Sequence, residues 1–82
     1  MKKIIYLLAL VFSFNSFADN YISPDTAAQK AKNAVGGGKI EEVEFKQERG
    51  IAVFEVEIEK KDRDFEVTID AKTGKVLKIK RE

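Results

Sequence analysis

The sequence predicts an α+β domain, one N-terminal helix packed on one face of a four-stranded antiparallel meander sheet. Two observations carry that expectation. A stretch with helix caps at both ends and apolar residues at helical spacing runs from Ser23 to Gly38. After Lys39 the apolar period falls from about 3.6 residues to about 2, the change that separates helix from strand.

Ahead of the helix, "MKKIIYLLALVFSFNSFADN" sets Lys2 and Lys3 before an apolar run from Ile4 to Phe14. Ser16 and Ala18 stand three and one residues before Asp19. A charged start, a short apolar centre and small residues at those two places form a secretory signal peptide. A membrane anchor would need roughly 20 predominantly apolar residues, and Ser13, Asn15 and Ser16 interrupt this run well before that. Residues 1–18 are therefore expected to be a cleaved signal peptide and residues 19–82 a single exported domain, periplasmic or secreted.

The helix reads from its caps. Ser23 is a natural N-cap, Pro24 suits the first helical position, and Asp25 favours the positive end of the helix dipole. Ala27, Ala31, Ala34 and Val35 follow at helical spacing and make the expected buried face. Gly36-Gly37-Gly38 ends the helix. A short helix with an alanine face lies close to a sheet but does not fold by itself.

Alternation then places four strands. Val43 and Phe45 share a face. Phe54, Val56 and Ile58 share one against Glu55, Glu57 and Glu59. Phe65, Val67 and Ile69 oppose Glu66, Thr68 and Asp70, and Leu77 and Ile79 oppose Lys78 and Lys80. Strands with one apolar and one polar face form an antiparallel sheet covered on one side. Because paired residues share a face, the turns test this scheme. Pairing Phe45 with Phe54 leaves Arg49-Gly50 at a tip, and pairing Ile58 with Val67 leaves Asp62-Arg63. Pairing Ile69 with Leu77 needs an odd loop, Lys72-Thr73-Gly74, of the kind that ends in a left-handed glycine.

Composition excludes several functions. Without Lys2 and Lys3 the formal charge of +1 becomes −1, which gives no electrostatic case for nucleic acid or an anionic membrane. His and Cys are absent, so a nucleophile–base pair and a soft-metal site both lack their usual residues. The absence of disulfides leaves a small core to supply ~3–5 kcal/mol by itself. Charge is segregated as well. Residues 41–70 carry eleven acids against five bases, and residues 71–82 carry five bases against one acid. Glu66 facing Lys80 across the last two strands accounts for part of that separation.

Two stretches resemble chemistry without completing it. Asp70, Lys72, Thr73 and Gly74 look like the phosphorylated aspartate motif of ion-pumping ATPases, but Ala71 intervenes and the chain has no room for a nucleotide domain. A phosphate-binding loop fails too, for want of an upstream glycine and a following Ser or Thr. The reading is a structural turn of Asp70, Thr73 and Gly74. Asp62-Arg63-Asp64 would start a calcium loop only with Gly and Glu at its sixth and twelfth positions, which here are Val67 and Thr73. It reads as a polar hairpin tip.

The outer face of the sheet is more informative. Glu42, Glu44, Glu55, Glu57, Glu59, Glu66 and Asp70 share it, a solvated strand face that keeps the sheet soluble or a surface for a basic partner. Ile51, Val53 and Val76 break its polarity at one end, and a cluster of that kind marks a contact site when it is large enough.

The capped Ala-rich helix, the glycine break, "IAVFEVEI" and "FEVTIDAKTGKVLKI" together resemble the PepSY domain family, over Ser23 to Lys80. The most specific piece is Asp70, Thr73, Gly74 and Val76, the family's Asp-x-x-Thr-Gly-x-Val hairpin. Such domains occur in the propeptides of thermolysin-like metalloproteases, in membrane proteins and as small exported proteins. The resemblance implies a non-catalytic module that inhibits or regulates a peptidase. With no protease in this chain, inhibition is expected in trans. The family has no agreed binding residues to carry over. From the residues themselves, Glu42, Glu44, Glu55, Glu57, Ile51 and Val53 are the candidate partner-binding set, for a protein or extended peptide. No cofactor, catalytic residue or metal ligand is expected. The alternative is a periplasmic sensor or carrier that binds a cation or small ligand on the acidic face.

Overall fold

The computed structural model describes residues 20–82. The expected signal peptide, residues 1–18, lies outside the described residues. Five elements follow in order: α1 (Pro24–Val35), β1 (Lys39–Glu48), β2 (Ile51–Lys60), β3 (Arg63–Asp70) and β4 (Val76–Arg81). The strands form one antiparallel sheet in the order β1-β2-β3-β4, and α1 packs on one face of it. The expected α+β meander is the observed fold.

Each end of α1 is satisfied by the residue type its position needs. The Thr26 N–H donates to Ser23 Oγ at 3.1 Å, with Pro24 opening the helix. At the other end Gly36 turns left-handed at φ 82°, and the Gly37 N–H donates to Lys32 O at 2.9 Å. Lys60 of β2 reaches across and donates its Nζ to Val35 O at 2.6 Å. A cation on the last helical carbonyls suits the negative end of the dipole. The buried face is Ala27, Ala28 and Ala31, with Val35 half-buried. Ala34, expected to be buried, is exposed. Ala27, Ala31 and Val35, four residues apart, form the stripe that meets the core, and Ala34 falls to one side of it.

Both early hairpins turn on two residues with positive φ, Arg49 (53°) with Gly50 (81°) and Lys61 (53°) with Asp62 (66°). Such turns match the right-handed twist of the strands they join. The first hairpin has the expected register, Phe45 opposite Phe54. The second differs. Ile58 lies opposite Phe65 and Val67 opposite Val56, so the tip is Lys61-Asp62 and not Asp62-Arg63. A slide of two residues keeps every side chain on its face, so alternation cannot detect it. Packing decides instead. The observed register sets Phe65 against Ile58, where the expected one sets it against Lys60, and it leaves Lys60 free to cap the helix.

The last hairpin also departs from expectation. Ile69 pairs with Val76, not Leu77, while Thr68 pairs with Lys78. Leu77 is thus the extra residue of a β-bulge. Ala71, just before the turn, is fully buried. Its N–H donates to Ala52 O at 2.9 Å, and its carbonyl accepts from the Ile22 N–H at 2.8 Å. Both groups point away from β4, so the Asp70–Lys75 bond is the last of the β3–β4 ladder. The loop therefore runs from Ala71 to Gly74, closed by the Asp70 N–H on Lys75 O and the Gly74 N–H on Asp70 O, both at 2.8 Å.

The core sits between α1 and the inner sheet face. Phe54, Val56, Ile58, Val67 and Ile69 are fully buried there with Ala27, Ala31 and Ala71. Phe45 meets Phe54 edge-on at 5.4 Å between ring centroids, and Tyr21 leans on Phe45 at 5.3 Å. β4 lies mostly beyond the helix. Its inner-face Ile79 is 46% exposed.

Candidate binding face

Register builds the outer face in rows. Glu42, Glu57, Glu66 and Lys80 stand opposite one another across all four strands, so three carboxylates lie abreast before the first cation. The next row is Glu44, Glu55, Thr68 and Lys78. Lys46 pairs with Glu55 at 3.1 Å. These are surface groups, and such pairs contribute little to stability.

The carboxylates feel one another. Partial burial pushes the Glu57 carboxyl above its ordinary value, and the charges of Glu42, Glu82, Glu66 and Asp64 push it further. Glu66 is also raised, first by burial, then by the charge of Glu55 and a hydrogen bond with it, while Lys80 pulls the other way. Like charges directly opposite in a sheet are destabilising.

The candidate residues fall into two groups. Glu42 and Glu44 on β1 adjoin Glu57 and Glu55 on β2, with Glu44 exposed and the other three half-buried. Ile51 is 52% exposed at the start of β2, but Val53 retains only 7% exposure. Val53 lies in the floor of a shallow cleft lined by Arg49, Ile51, Glu55, Thr68, Leu77 and Lys78. Val76, expected beside Ile51 and Val53, is replaced there by Leu77. The bulge moves Leu77 to the outer face and sets Val76 opposite Ile69 on the inner one. Nothing in the hydrophobic alternation signals this, because a bulge breaks the period it would be read from.

The Asp70 turn is held by its own atoms. Asp70 Oδ1 accepts from the N–H groups of Lys72 (2.8 Å) and Thr73 (3.1 Å), and Thr73 Oγ1 accepts from the Lys75 N–H at 3.1 Å. The Lys72 and Thr73 N–H groups hold the Asp70 carboxyl below its usual range. Its acceptor capacity is thus directed at the backbone of its own loop. Among the described residues no three acidic side chains converge closely enough to hold a metal ion. No helix among them is long and apolar enough to cross a membrane.

A family model described as "Peptidase propeptide and YPEB domain" matches residues 21–80. Neither the curated proteins nor the solved structures contain a match to the chain. The family match spans the helix and all four strands but for Arg81, and the chain belongs to the PepSY family.

Proposed function

We propose that the chain is an exported, non-catalytic PepSY-type binding module that inhibits or regulates a peptidase in trans. The partner docks on the β1 edge and the acidic outer face through a basic or extended segment. One observation supports this above others: three carboxylates abreast, Glu42, Glu57 and Glu66, on a face the helix does not cover. That row costs stability in the free protein, and a basic partner would turn the cost into attraction. The neighbouring strand edge offers backbone groups to an extended peptide, with main-chain bonds for affinity and alternate side chains for choice. Glu44 and Glu55 extend the acidic surface, and Ile51 supplies an apolar contact at its end.

The test is titration of a thermolysin-like metallopeptidase with the protein. Activity should fall as protein is added, and salt should weaken the complex. Reversing Glu42, Glu44, Glu55 and Glu57 to Lys should weaken it by about tenfold or more. Binding by the quadruple variant as tight as wild type, with no salt dependence, would leave the acidic face a solubilising surface only. Export is tested separately by mass spectrometry of the native protein, which should begin at Asp19. An intact Met1 in the membrane fraction would overturn it.

A further inference from the structure

Over four consecutive rows the two free edges of the sheet complement each other, while the row beyond them carries Lys46 on β1 and Lys75 just before β4. On the outer face, β1 presents Glu42 and Glu44 while β4 presents Lys80 and Lys78, in the same two rows. On the inner face, β1 presents Val43 and Phe45 while β4 presents Ile79 and Val76, again in matching rows. A second molecule set beside the first in phase, with its β1 against this β4, is antiparallel to it. Lys80 then meets the neighbour's Glu42 and Lys78 meets Glu44. Ile79 meets Val43 and Val76 meets Phe45. All four contacts are favourable in type.

We infer that the protein self-associates head to tail, with the basic β4 edge of one copy adding to the acidic β1 edge of the next. Three further features fit that occupant. Every residue of β4 is exposed, yet the strand carries three large apolar side chains. Between β1 and the helix lies a groove lined by Pro24, Asp25, Ala28, Gln29, Ile40 and Val43, and a neighbour's Ile79 would lie against its apolar residues. A β4–β4 contact opposes lysines to lysines, and a β1–β1 contact, in which Glu42 meets Lys46 only where Glu44 meets Glu44, would show itself as association of the Lys78→Glu/Lys80→Glu variant alone. Lysines on an edge strand normally prevent strand addition; here they repel their own kind and admit one acidic edge. A contact between two different surfaces does not close on itself, so assembly continues as a ring or an open row. The same β1 edge is given above to a peptidase partner, and self-association would compete for it.

Sedimentation velocity of the purified protein, with no partner present, tests the inference up to ~1 mM, where weak contacts become visible. Weight-average mass should rise with concentration at low salt and fall back towards that of one chain as salt is added. Two double variants decide the geometry. Lys78→Glu/Lys80→Glu has two acidic edges and Glu42→Lys/Glu44→Lys has two basic ones, so each alone should remain a monomer. Mixed in equal amounts, they regain complementary edges and should associate again. Thermal melts check that both are folded. Should Lys80→Glu beside Glu66 prevent folding, Lys78→Glu with Glu44→Lys makes the same comparison on the row of Thr68. A wild-type protein that stays monomeric throughout at low salt overturns the inference. So does an unrestored mixture, or a variant that associates alone. Because no peptidase is involved, none of these outcomes depends on the function proposed above.

Discussion

Gly38 and Gly74 both hold positive φ, 123° and 81°, but a side chain would meet different obstacles at each. A Cβ at Gly38 would lie 2.7 Å from Ile58 Cγ2 and 2.9 Å from the carbonyl oxygen of Glu59. One neighbour is a fully buried core residue and the other is backbone, so neither can yield cheaply. At Gly74 the nearest atom is Lys30 Cε at 2.8 Å, part of an exposed, flexible side chain that can move aside. Gly74→Ala should therefore cost only the left-handed conformation, ~1–2 kcal/mol. Gly38→Ala should cost that and the clash, and lower the denaturant midpoint further. Equal midpoints would mean that the sheet shifts to accommodate the methyl group. The need for glycine at position 74 is legible in the sequence, because Thr-Gly precedes an alternating run. The need at position 38 is not, because it arises from the close approach of β2.

At the scale of the element, the acidic row links sheet register to pH. Glu57 and Glu66 hold their protons more tightly folded than unfolded, with folded values above 4.5. Their contribution to stability is full below pH 4.5 and is lost as pH rises through the raised values. Asp70 acts in the opposite sense, its contribution present above 3.8 and lost as pH falls through its lowered value. Stability should thus peak at mildly acidic pH. Glu57→Gln should raise the denaturant midpoint at pH 7, by a few tenths of a kcal/mol given the exposure of the row. Its advantage should shrink as pH falls towards 4.5. A constant advantage at all pH values would show that charge is not the cause. The row could be read from the sequence only in part. Alternation put the glutamates on one face, but which of them stand opposite one another depends on a β2–β3 register that a two-residue slide leaves unmarked. The helix was the most legible element, since Ser23, Pro24 and Gly36 each specify one boundary. Its buried stripe was less so, because alanines at adjacent positions differ too little to choose between faces. The β4 bulge accompanies a four-residue loop, Ala71 to Gly74, closed by the Asp70–Lys75 bond, and it leaves no mark in the alternation.

At the scale of the molecule, every strand among the described residues pairs with its neighbour in sequence, and two of the three hairpins there turn on two residues. Contacts of that kind close short loops. The helix is different. Its position is fixed by the sheet beneath it, by Lys60 at its C-terminus, and by the Ile22 N–H on Ala71 O, a bond between residues far apart in the chain. That bond has a kinetic meaning. Closing a long loop costs entropy that only the finished sheet can repay, so hairpins should assemble first and the helix should dock late. A cap lost from a late-docking helix should show in one rate constant. Ser23→Ala, costing ~1 kcal/mol, should speed unfolding about fivefold and leave the folding rate nearly unchanged. The reverse partition would place the helix in the folding nucleus. With late docking, the path to the native state passes through a bare sheet whose inner face, Phe54 and Ile58 included, is open to water. At that stage the protein most needs its charged outer surface and lysine-lined edge, which limit wrong encounters until the helix closes over the core.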